Sequence, residues 1–170
     1  MRHLMTLLVL ALLASGCDGE SLDATATASG PSPATSSAPD ATPAALSVAE
    51  AGPRYLEIVK PYNTALEKFE DAAHAGKPWR DLRPLAGEVA AANAAHAKAL
   101  REVRWPAEAE APMAALLTEI DLAQREWERA ANAKTADELA QAVRSAVAHS
   151  GAKRAGEIRT LLGLPPYSEP

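Results

Sequence analysis

Aromatic side chains are scarce. Three Trp, three Tyr and one Phe make up 4% of the 170 residues. β-Sheet faces favour aromatic and β-branched residues, so this shortage argues against a sheet protein. Cysteine is nearly absent too: Cys17 is the only one. Catalytic and cofactor signatures are missing. There is no C-x-x-C-H for haem attachment, no E-x-x-H pair for a di-iron bundle, and no serine elbow, P-loop or dinucleotide fingerprint. No basic stripe is present either. Net charge is −5, and removing residues 1–16 with Arg2 takes it from −5 to −6. Such a chain is a poor ligand for nucleic acid and is not drawn electrostatically to an anionic membrane. No cofactor, no metal and no catalysis are expected.

Hydrophobic residues nevertheless reach 48%, much of it alanine. Alanine is the strongest helix former and packs helices closely, so the composition predicts an all-α protein.

The first residues read MRHLMTLLVLALLASGC. Arg2 and His3 form a short basic head before the apolar run Leu4–Leu13. That run is too short for the ~20 residues of a membrane span and suits a signal-peptide core. Ala14, Ser15 and Gly16 then place small residues before Cys17. The segment resembles the lipobox of bacterial lipoproteins, although Ala14 stands where Leu is commonest. The resemblance implies a signal peptide over 1–16, cleavage between Gly16 and Cys17, and a diacylglycerol thioether on Cys17. The alternative is ordinary cleavage at the A-x-G site, leaving a soluble protein. A lone exposed thiol in an oxidising compartment is a liability, and acylation removes it. The expected location is the extracytoplasmic face of the cell membrane, anchored through Cys17.

Residues 17–47 are dominated by Ser, Thr, Ala, Pro and Gly. They cannot bury enough apolar surface to offset ordering, and a disordered stalk is expected, reaching ~30 Å if coil-like. The same composition suits O-linked sugar.

From 48 to 165 the apolar period becomes helical, with a short tail at 166–170. The first stripe runs Tyr55, Ile58, Tyr62, Ala65, Leu66, Phe69 and Ala73, with Pro53 in its first turn and Pro61 expected to kink or split it. The second is Leu82, Leu85, Val89, Ala92, His96, Leu100 and Val103, with Pro84 in its first turn and a stop at Trp105-Pro106. The third is Met113, Leu116, Leu117, Ile120, Ala123, Trp127 and Ala131. The fourth opens on a capping-box spacing at Thr135–Glu138, follows Leu139, Val143, Val147, Ile158 and Leu161, and stops at Gly163 and Pro165. Short connections force antiparallel neighbours, so an up-down-up-down four-helix bundle is predicted.

Polar residues interrupt these stripes. Asn93 and His96 fall in the second, Gln124 in the third, Ser150 and Arg154 in the fourth. Counting back from the helix ends puts His96 and Arg154 at one level, ~15 Å from the same end of the bundle. Tyr62 and Asp121 fall near that height. A buried Arg needs a partner, so Arg154 is expected to meet Asp121 or a tyrosine hydroxyl. These residues define a candidate polar site for a small anionic or hydrogen-bonding ligand. The plainer alternative is a satisfied network that sets helix register. Glu70 and His74 share a helix face, but with four histidines in the chain they read as a surface pair rather than a metal site.

As a whole, Y-L-E-I-V at 55–59, D-L-R-P-L at 81–85, R-W-P at 104–106 and L-G-L-P-P at 162–166 resemble Ala-rich helical lipoproteins of high-GC Gram-positive bacteria. The family lends no activity. The leading expectation is a non-enzymatic, tethered helical module that binds an envelope protein or small ligand. The alternative is a carrier bundle with a polar site around His96 and Arg154.

Overall fold

A computed structural model describes residues 44–167. The expected signal segment, Cys17, the expected stalk up to residue 43 and residues 168–170 lie outside the described residues. Five helices follow in order: α1 Val48–His74, α2 Trp79–Arg101, α3 Ala107–Ala131, α4 Ala136–Ala148 and α5 Ala152–Leu161. No strand occurs among the described residues. α1 packs on α2 and α2 on α3, while α3 carries both α4 and α5. The architecture is the expected four-arm bundle, with its last arm broken into α4 and α5.

Local chemistry sets the helix ends. Ser47 opens α1, and the Glu50 carboxylate accepts from its backbone N–H at 2.9 Å and its hydroxyl at 2.6 Å. Those two hydrogen bonds hold the Glu50 carboxyl below the ordinary carboxylate range. The helical body takes in residues just before Val48. Leu46 donates its N–H to the Arg104 carbonyl at 2.9 Å and packs on the core. Pro61 does not split α1, which runs through it unbroken. Helices start earlier than the sequence pattern implied, so Pro53 and Pro84 sit in second turns rather than first. Thr135 accepts from the Glu138 N–H at 3.1 Å, as expected, but Glu138 reaches back to the Lys134 N–H rather than to that of Thr135.

The core is divided. One apolar half joins Tyr55 and Ile58 of α1, Leu100 of α2, Met113 and Leu116 of α3, Ile158 of α5 and Trp105. Trp105 fills the α2–α3 corner, donating to the Leu100 carbonyl at 2.9 Å and meeting Tyr55 edge-on at 6.2 Å. Burial raises the Tyr55 hydroxyl pKa to about 12. The other half joins Phe69, Val89, Trp127 and Leu139 with a dense set of alanines.

The fourth arm departs most from expectation. Leu139, Ala142 and Ala146 are the buried residues of α4 and Ile158 that of α5, so Leu139 and Ile158 lie where the stripe put them, whereas Val147 is 50% exposed and Leu161 is 39% exposed. Trp127 fills the space on the α3 side, and groups of alanine size complete the packing beside it. The break comes at Gly151, whose φ of +64° is open to glycine at little cost. The helix is interrupted from His149 to Gly151, so a helical wheel continued from Val147 to Ile158 no longer describes one face.

Candidate functional site

Between the two apolar halves lies a polar layer. Val59 and Phe69 flank Tyr62 along α1, Ala90 and Ala97 flank Asn93 and His96 along α2, and Ile120 and Trp127 flank Gln124 along α3. The flanking residue on one side belongs to one half-core and that on the other side to the other.

Asn93 is buried at 1% exposure. Its Nδ2 donates to the Gln124 Oε1 at 2.9 Å and to the Ile120 carbonyl at 3.1 Å. Gln124 passes the chain outward, donating from Nε2 to the Glu128 carboxylate at 2.8 Å. The network thus runs from the bundle interior to solvent. One turn along α2, His96 is buried at 7% exposure, and neither ring nitrogen has a hydrogen-bond partner. Desolvation drives its pKa down to about 4, so the imidazole is neutral at ordinary pH. Tyr62 lies over it, ring centroids 5.4 Å apart and 24° from parallel. Burial raises the Tyr62 hydroxyl pKa, against a smaller opposing effect from its hydrogen bond with Trp127.

The structure therefore brings together Tyr62, Asn93, His96 and Gln124. It does not bring in Asp121, Ser150 or Arg154. Asp121 is exposed and takes both oxygens to Arg101 Nη2, at 2.6 and 2.7 Å. Arg154 is half-buried and donates to Glu157 at 2.8 Å, one turn along its own helix. Ser150 is exposed in the α4–α5 break. The expected meeting of Arg154 with Asp121 rested on one continuous helix, and the break at Gly151 between α4 and α5 ends that register. His149 fills part of that region, with Nδ1 3.1 Å from the Glu119 carboxylate. The Arg101–Asp121 pair joins the last residue of α2 to the middle of α3, and no apolar stripe pointed to it.

Among the described residues there is no cluster of three or more His, Cys, Asp or Glu able to hold a metal. Among the same residues no helix is long and apolar enough to cross a membrane. No family profile, curated protein or solved structure matches the chain.

Proposed function

We propose that this chain is a lipid-anchored, extracytoplasmic helical module that acts by binding rather than by catalysis. The observation that carries this reading is the N-terminal sequence: a basic head, the apolar run Leu4–Leu13, and Ala14-Ser15-Gly16 before the only cysteine. Two acyl chains on Cys17, at ~0.8 kcal/mol per buried methylene, give attachment that one chain does not. The helical body supports a binding role. Its buried Asn93 bonds Gln124 and the Ile120 carbonyl, and its buried His96 is neutral at ordinary pH. Mass spectrometry of the mature N-terminal peptide tests the anchor. The expected species begins at Cys17 and carries diacylglycerol, and Cys17→Ala moves the protein from membrane to soluble fractions. A bare Cys17, or a retained leader, counts against it.

A second reading, a small-ligand carrier, draws on His96, because its two unpartnered nitrogens are the polar atoms that a guest hydroxyl or water could satisfy. Arg154, turned to Glu157, lends it no support.

A further inference from the structure

The bundle's last seam is open at one end. Near the start of α1, Leu162 and Leu164 close it, lying within 3.2–3.3 Å of where a Cβ on Gly52 would stand. At the other end α1 and α4 form no packed interface. Ala73 shows the consequence: it continues the apolar stripe of α1 yet stays exposed. Between the end of α1, the start of α2 and the first turns of α4 lies a groove of about 420 Å³.

The walls of this groove are apolar. Phe69 comes from α1, Trp79 and Leu82 from α2, and Leu139 and Val143 from α4. Two cations stand among the lining residues, Lys77 and Arg144, and no carboxylate does. Neither makes an ion pair with a described residue. Arg80, outside the lining, stacks over Trp79 with its guanidinium 4.6 Å from the ring centroid. A cationic rim on an acidic chain is a local reversal of charge, and it selects an anion. At ~30 Å³ per water-sized group, the groove holds about a dozen methylenes.

We propose that this groove binds a single-chain fatty carboxylate, its tail on Phe69, Leu82, Leu139 and Val143 and its head between Lys77 and Arg144. The proposal deepens the binding-module reading and does not depend on the anchor. Its test uses the full chain carrying Cys17→Ser, so that no acyl chain of its own competes. Dodecanoate and dodecyltrimethylammonium are titrated below their micellar concentrations and followed by calorimetry. Dodecanoate is expected to bind saturably at one site, about tenfold tighter than the cation despite the acidic protein. Lys77→Gln with Arg144→Gln should weaken dodecanoate about tenfold and leave the cation unchanged or tighter. Ala73→Trp, on an exposed position, should fill the groove and abolish binding while circular dichroism shows the helices intact. Equal binding of both tails, no saturable site, or indifference to these substitutions overturns the proposal. None of those outcomes bears on the mass of the N-terminal peptide, so the anchor stands or falls separately.

Discussion

Tyr62 on α1 and His96 on α2 lie ring over ring, centroids 5.4 Å apart, in the layer that divides the apolar interior into two. The contact satisfies the faces of the imidazole but not its edge, where both nitrogens lack partners. A neutral ring tolerates that position far better than a charged one, and this difference makes the fold sensitive to acid.

The sign follows from proton counting. In the unfolded chain His96 titrates near its ordinary 6.5, and in the folded protein near about 4. Between those values the unfolded state binds the extra proton, so stability is full above 6.5 and falls as pH drops toward 4. The shift corresponds to about 3 kcal/mol at its limit. His96→Phe keeps the stack and removes the proton site. Urea unfolding at ~pH 4.5 should find the variant about 2 kcal/mol more stable than the parent, with the two within ~1 kcal/mol at ~pH 7. Carboxylates titrate in both proteins, so the difference between the curves isolates His96. Parallel curves would show that the imidazole is solvated in the fold.

Asn93 and Gln124 are the second load on this layer. Asn93→Ala removes two hydrogen bonds and leaves a small void, and should destabilise by about 2 kcal/mol. Gln124→Ala should cost less, because Gln124 is only half-buried, but it strands the Asn93 amide. The double variant should therefore fall short of the sum of the singles by about 1 kcal/mol. Denaturant midpoints for the four proteins measure this directly. Additive losses would mean that the 2.9 Å contact carries no energy.

The bundle was legible because its signals are redundant. The apolar period runs along α1, α2 and α3, and the Trp105-Pro106 stop falls between the last two of them. Asn93, His96, Tyr62 and Gln124 were legible for the same reason, since each sits in a stripe whose helix is unbroken. Arg154 was not. Its placement depended on a straight helix from Leu139 to Ile158, and Gly151 reads in sequence as one tolerable glycine. Only packing reveals that it holds a left-handed turn against α3. Likewise Val147 outranks Ala146 in hydrophobicity, yet Ala146 is the one buried, at 2% exposure against 50%.

That choice of face can be tested. Ala146→Asp places a carboxylate at a position 2% exposed and should unfold much of the population, at a loss of ~3 kcal/mol or more. Val147→Asp, on a half-exposed position, should stay within ~1 kcal/mol of the parent. Thermal melts of the two proteins should separate widely. The reverse order would restore the stripe through Val147 and rotate α4 by one residue.

Gly151 and Gly76 offer a matched pair for the break itself, with φ values of +64° and +69°. Backbone strain is thus common to both, and alanine at either should cost about 1 kcal/mol on that account. Their surroundings differ. A Cβ on Gly76 meets nothing within 4 Å, whereas one on Gly151 would stand 2.6 Å from the Leu116 Cδ1. Leu116 is only 3% exposed and packed in the core, so it has little room to withdraw. Gly151→Ala should therefore destabilise by about 2–3 kcal/mol and Gly76→Ala by about 1 kcal/mol. Trimming Leu116 to Ala in the Gly151→Ala background should recover the steric part but not the strain, offset by its own cavity cost. A double-mutant cycle in urea therefore expects favourable coupling of about 1 kcal/mol. Zero coupling would place the Gly151 turn away from α3, and with it the reason that the fourth arm bends where it does.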